Sequence, residues 1–219
     1  MKQLIISKID ELSTLCIGFL FCALLLTMRI KVTGSFFYLF LAWNLFLAFI
    51  PYSITLLVQS KKNWHHNTWI LLPIFGVWLL FLPNTPYLIT DLQHLRHTSQ
   101  NIVWYDAMLL FSFAAYGLFI MTLTIQDMKR ILSKKIASKW FPFVLISIFI
   151  LCGFGIYLGR FLRWNSWDIL QNPMALFEDI VMRIRHPFTY SQTWIVTFGY
   201  ACIIGLFYHA IKISNLSKD

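Results

Sequence analysis

Ten residues, 159–168, read Gly-Arg-Phe-Leu-Arg-Trp-Asn-Ser-Trp-Asp and carry two arginines, an aspartate, an asparagine, a serine and two tryptophans. Guanidinium forks suit carboxylates and phosphates. Arg160 and Arg163 stand three apart, so a continuing helix would place them on one face. A second polar group lies at residues 83–95, Pro-Asn-Thr-Pro-Tyr-Leu-Ile-Thr-Asp-Leu-Gln-His-Leu. Here Asp91, His94 and His97 follow a period of three, and Asp106 lies across the same loop. Carboxylates and imidazoles so gathered could ligate a metal. They could also work as an acid–base set, with Asp91 or Asp106 as base or as the group orienting His94. Such spacing often arises by chance, and no metal ligand is assigned. Nothing resembling Gly-x-Ser-x-Gly surrounds Ser166 or Thr90, and neither a glycine-rich phosphate loop nor His-Glu-x-x-His is present. The candidate binding cluster is Asn84, Tyr87, Asp91, His94, Asp106, Arg160, Arg163, Asn165 and Asp168; no cofactor is assigned.

The elements that position these residues are membrane helices. Of 219 residues, 58% are hydrophobic and only 12% charged, and the mean hydropathy is +0.67. A water-soluble domain does not ordinarily hide so much apolar surface. Six apolar runs emerge, roughly residues 12–28, 36–58, 69–82, 102–125, 141–158 and 194–211. Helices are the expected form, since open sheet edges are not left in hydrocarbon. The expectation is an all-α integral membrane protein, a bundle of about six transmembrane helices in a single domain over residues 1–219. Most of the nine tryptophans sit near run ends, at the level where amphipathic rings settle. Trp43 and Trp78 fall inside runs and are expected to pack. Cys16, Cys22, Cys152 and Cys202 lie in apolar runs without Cys-x-x-Cys spacing, so they read as small apolar fillers. Gly155 and Gly159 permit a close helix approach that would position Arg160.

Charge sets the expected orientation. The net charge of +9 comes from short basic segments between apolar runs, which argues for topology rather than nucleic-acid binding. The amino terminus, second loop, fourth loop and tail hold eleven Lys and Arg, and the opposite side holds seven. Lys129, Arg130, Lys134, Lys135 and Lys139 in the fourth loop decide the count. Both termini are expected in the cytoplasm, with the third and fifth loops outside. The two polar groups then share one face and are expected to form one site. That face carries Arg96, Arg160, Arg163, Arg183 and Arg185 against Asp91, Asp106, Asp168, Glu178 and Asp179. The tally balances, so internal arginine–aspartate pairs that lock the loops are the plain alternative to anion binding.

Two local features bear on the site's depth and cover. Residues 69–82 span only about 21 Å as a helix, against a hydrocarbon core of about 30 Å. Pro83 and Pro86 should stop a regular helix there and leave Asn84 and Thr85 below the outer surface. The alternative extends the helix back through residues 65–68 and lifts the prolines to the interface. In the fifth loop, Asn172-Pro173 reads as an N-cap and first-turn pair. Phe177, Ile180, Val181 and Ile184 then repeat at helical spacing until His186-Pro187. An amphipathic surface helix is expected, more to seal the bundle than to cover the site.

Residues 81–87 with Thr90-Asp91 and His94-Leu95, then Trp104-Tyr105-Asp106, then Gly159-Arg160-Phe161 with residues 163–168, resemble the domain of unknown function 1361 family of small bacterial multi-span membrane proteins. The resemblance covers most of the chain. It implies a bacterial inner or plasma membrane location and supplies no catalytic residue or activity. Three functions are in contention. The first is a membrane component, with a possible transport role, that binds a polar or anionic small molecule, a lipid headgroup or a partner subunit at its outer face. The second is a membrane-embedded hydrolase or transferase acting on an envelope or lipid-linked substrate. The third is a structural or assembly subunit with ion-paired outer loops.

Overall fold

A computed structural model describes residues 6–61, 64, 67–97 and 100–216. Lys2, Lys62, His65, His66 and Lys218, together with the His97 side chain, lie outside the described residues. The chain is all-α, with no strand among the described residues. Its elements are α1 (Ile9–Thr33), α2 (Phe40–Ser60) after a 3-10 turn at Phe37–Leu39, and α3 (Thr68–Phe81). The short α4 (Asn84–Tyr87) and a 3-10 helix (Leu88–His97) follow, then the long α5 (Val103–Leu132). A further 3-10 turn (Ser138–Trp140) leads into α6 (Phe141–Phe161), α7 (Asp168–Gln171), α8 (Pro173–Arg185) and α9 (Ser191–Leu216). Six segments are long and apolar enough to cross a membrane, and the protein is a multi-pass membrane bundle.

The central post is α5. In its most apolar stretch 67% of residues are buried within the protein, against 22–44% in the other five spans. One core cluster joins the lower part of α5, from Leu118 to Ile131, to Leu71 and Trp78 of α3, Ile148 and Cys152 of α6 and Ile204 of α9. The other joins the upper part, including Leu109 and Phe113, to Leu25 of α1, Leu41 and Leu45 of α2 and Leu88. Both ends of α1 are clamped to this post. At one end the buried Lys8 ammonium meets Asp127, and also Glu11 at 2.9 Å, while the Tyr52 hydroxyl donates to Glu11 at 2.6 Å. At the other, Arg29 pairs bidentately with the fully buried Asp106, and the Tyr105 hydroxyl donates to the Leu25 carbonyl at 2.8 Å. A charge in a span is costly unless it is paired, and the partners stand where the topology lets them meet.

The start of α3 is fixed by Asn67, whose side chain accepts the Trp69 N–H at 2.9 Å. The stop expected at Pro83 takes a softer form. The α-helix ends at Phe81, but the chain keeps winding through α4 and the 3-10 helix, so the third span runs from Thr68 to Arg96. Pro83 and Pro86 are accommodated because their neighbours' donors find other acceptors: the Thr85 N–H bonds the Leu82 carbonyl and the Tyr87 N–H bonds the Pro83 carbonyl. Thr85 and Pro86 are buried. The surface helix α8 begins after Asn172, whose side chain makes no capping bond, and it ends at Arg185 before His186. Its Met174, Phe177 and Met182 are exposed, as are the flanking Leu170 and Phe188. These exposed apolar side chains, with Glu178 and Arg185 among them, suit the interface between headgroups and acyl chains.

Candidate functional site

The site begins with Arg160 in the last turn of α6, where a cation complements the helix dipole. Gly155 and Gly159 let α6 approach the α4 turn closely. A Cβ at Gly155 would stand 2.5 Å from Pro83 Cγ, and one at Gly159 would stand 3.1 Å from the Tyr87 ring. Arg160 therefore projects into the winding segment that carries Tyr87 to His94. Its Nη2 donates to the Thr90 carbonyl at 2.8 Å and lies 3.3 Å from His94 Nε2. An arginine only donates, so a hydrogen bond there uses the lone pair of His94 Nε2. Nη1 reaches the Tyr87 hydroxyl at 3.5 Å and Asp91 Oδ1 at 3.4 Å. With its amide oxygen turned toward the guanidinium, Gln93 accepts from Nη2 at 2.5 Å and Nε at 2.7 Å. Arg160 is thus surrounded by acceptors from its own chain.

Asp91 is fully buried. Its Oδ2 accepts from Asn44 Nδ2 at 3.0 Å, while Oδ1 makes no hydrogen bond and is held by the ion pair alone. Asn44 brings α2 into the site, and one side of it faces a cavity of about 180 Å³. The walls of that cavity include Trp43, Asn44, Asn84, Tyr87, Trp164, Asn165, Ser166 and Trp167, together with Leu176 of α8. Asn84 Nδ2 donates to the Phe81 carbonyl at 2.9 Å and to Ser166 Oγ at 3.1 Å, and that hydroxyl donates to the Leu80 carbonyl at 3.2 Å. Asp168 Oδ2 receives the Asn165 backbone N–H at 2.6 Å and its amide at 3.2 Å, which closes the 165–168 turn. Trp164 Nε1 donates to Asp179 at 2.7 Å and so ties α8 over the site. Asp179 also holds Arg183, whose Nη1 lies 2.8 Å from Oδ1.

Seven of the nine residues singled out from the sequence are brought together: Asn84, Tyr87, Asp91, His94, Arg160, Asn165 and Asp168. Two stand apart. Asp106 is committed to Arg29, at the first turn of α5. Arg163 does not share the face of Arg160, because α6 ends at Phe161 and the chain reverses there. Arg163 adopts the left-handed region, with φ of +62°, is exposed, and is followed by the Trp164 N–H bonding back to the Leu158 carbonyl. Among the described residues no group of three His, Cys, Asp or Glu could hold a metal ion.

Sequence reasoning missed Asn44, Gln93 and Trp43. Asn44 was the readable signal, since a lone amide inside an apolar run is expensive unless it has a partner. Trp43, expected to pack, is 54% exposed, lines the cavity and stands edge-on to Trp167 at 6.5 Å. Trp78 does pack, fully buried, with Nε1 donating to Thr124 at 2.9 Å.

No curated protein and no solved structure matches the chain. A family model, described as Protein of unknown function (DUF1361), matches residues 43–207, a stretch that contains every wall of the cavity and every residue around Arg160. The chain belongs to the DUF1361 family.

Proposed function

We propose that the cavity binds an uncharged, hydroxyl-rich small molecule or headgroup, and that the Asp91–Arg160 pair builds the site rather than contacting the ligand. The carrying observation is the division of labour among the polar groups. The charged side chains are turned to one another behind the cavity, and the walls present amides, hydroxyls and aromatic rings. Asn44, Asn84 and Asn165 spend their amide N–H groups on the protein, and among the described residues their side-chain carbonyls accept no bond. Such walls ask for donors, which hydroxyl groups supply. The rings of Trp43, Tyr87, Trp164 and Trp167 offer flat apolar surface to the C–H faces of a sugar ring. Size agrees: a cavity of about 150 Å³ takes a single six-membered ring. In this reading Asn84, Tyr87 and Asn165 touch the ligand, while Asp91, His94, Arg160 and Asp168 position them. The hydrolase or transferase reading has less support, because Asp91 and His94 face Arg160 and do not line the cavity.

The test uses purified protein in a detergent without a sugar head, titrated with methyl glucoside, glycerol and inorganic phosphate while intrinsic tryptophan fluorescence is followed. Methyl glucoside should produce a saturable change. Asn84→Ala should weaken binding by about threefold to tenfold, the worth of one hydrogen bond of 0.5–1.5 kcal/mol. A response to phosphate in preference to the glycoside would replace this reading with anion binding. Silence to all three would reduce the cavity to a packing gap.

We further propose that the cavity faces the outside of a bacterial cell membrane and that both termini are cytoplasmic, on the strength of the five cations between residues 129 and 139. In a cysteine-free background, single cysteines at positions 98 and 134 should react with an impermeant thiol reagent from outside and from inside respectively. The reverse labelling would invert the orientation.

A further inference from the structure

We propose that the ligand is a glycosylated membrane lipid, with its uncharged sugar in the cavity and one hydrocarbon chain in a groove between α3 and α6; this rests on the cavity reading above. The groove has a volume of about 770 Å³ and opens beside the exposed Val77 and Leu151 of the two spans. It is not a separate feature. Leu80, Pro83, Gly155 and Leu158 wall both the cavity and the groove, so the two spaces are neighbours on either side of the Pro83–Gly155 contact. The groove runs down the third span from Pro83 to Pro73, ten residues, or about 15 Å at the helical rise. A polar cavity stands beside an apolar channel, the two environments an amphiphile requires.

The surface helix follows the same path. Leu176 lines the cavity, and Ile180 and Ile184 line the groove. These residues are four apart and form one stripe of α8, so a single helix face covers both spaces. The Trp164–Asp179 bond anchors that helix beside the cavity. Gly76 deepens the groove: it lines the wall, and a Cβ there would meet nothing within 4 Å. A side chain can therefore fill the groove without disturbing the protein.

The experiment measures affinity for methyl, hexyl and octyl glucoside, each below its micelle concentration, with octanol as the sugar-free control. In the wild type, affinity should climb at least about tenfold from methyl to octyl, a modest share of the roughly 0.8 kcal/mol available per buried CH₂. Gly76→Leu should leave methyl glucoside binding unchanged and erase most of that climb; Val77→Trp, on the same wall, serves if Gly76→Leu does not fold. Lipids extracted from the purified wild type should be enriched in hexosyl lipid over the host membrane, and those from Gly76→Leu should not. Equal affinity for methyl and octyl glucoside would overturn the chain site and leave the cavity reading standing. A full chain-length climb retained in both groove variants would do the same. Octanol binding as well as octyl glucoside would overturn the amphiphile. Failure of methyl glucoside itself would remove both proposals.

Discussion

Asp91→Ala should lower stability by about 3–5 kcal/mol, the cost of leaving the other half of a buried ion pair uncompensated. Asp91 is fully buried and the Arg160 side chain is 14% exposed, so water cannot readily replace the lost carboxylate. Thermal or denaturant unfolding in a bilayer mimetic reads the loss. The double variant Asp91→Leu with Arg160→Met should recover a large part of it, because removing both charges together avoids the orphan. If the double variant is as unstable as the single, the carboxylate is doing something other than neutralising Arg160. Asp106→Ala provides the contrast. It should cost a similar amount by orphaning Arg29, yet leave methyl glucoside binding intact in whatever fraction folds, since neither residue lines the cavity. Asp91→Ala should weaken binding as well, because it releases Asn44, whose amide it holds at 3.0 Å and which forms a cavity wall.

These two pairs show which parts of the molecule could be read beforehand. The spans were legible because a 20-residue apolar run has few alternatives in water or lipid. Observed helices extend the expected runs by several residues, as at Ile9–Thr33 and Val103–Leu132, where polar end residues continue the helix into the interface. The meeting of residues 83–95 with residues 159–168 followed from placing both on one face. What did not follow was which charge takes which partner. Arg29 and Asp106 are 77 residues apart, and only packing of α1 on α5 selects that pair. Arg163 was expected beside Arg160 on the premise of a continuing helix. A single left-handed residue sends it elsewhere, and no glycine stood there to announce the turn. Asn44 was hidden by its company. Within so apolar a run, one amide reads as tolerated until the buried acid it serves is seen.

Gly117→Ala should destabilise the protein by about 1–3 kcal/mol, although the same change in an ordinary helix stabilises by up to about 1 kcal/mol. The reversal comes from what faces this glycine. A Cβ at Gly117 would stand 2.3 Å from the Thr85 carbonyl oxygen and 2.7 Å from Leu88 Cδ1. Neither neighbour can retreat, because Pro83 and Tyr87 on the other side of the turn are pressed by α6 at Gly155 and Gly159. The α4 turn is held between glycines of two helices, and it carries Asn84 and Tyr87 into the cavity wall. A methyl group on α5 must therefore push the turn toward α6 or unseat it, and either motion disturbs the Asn84–Ser166 hydrogen bond. Gly199→Ala, where the added Cβ would meet nothing within 4 Å, should be neutral or stabilising and serves as the control. Unfolding measurements on the two variants give the sign directly, and glycoside titration of the folded fraction should show Gly117→Ala weakened and Gly199→Ala unchanged. Equal stability of the two would mean that the turn is free to move, and the cavity would then lack the rigid wall that hydrogen-bonded recognition of a small ligand requires.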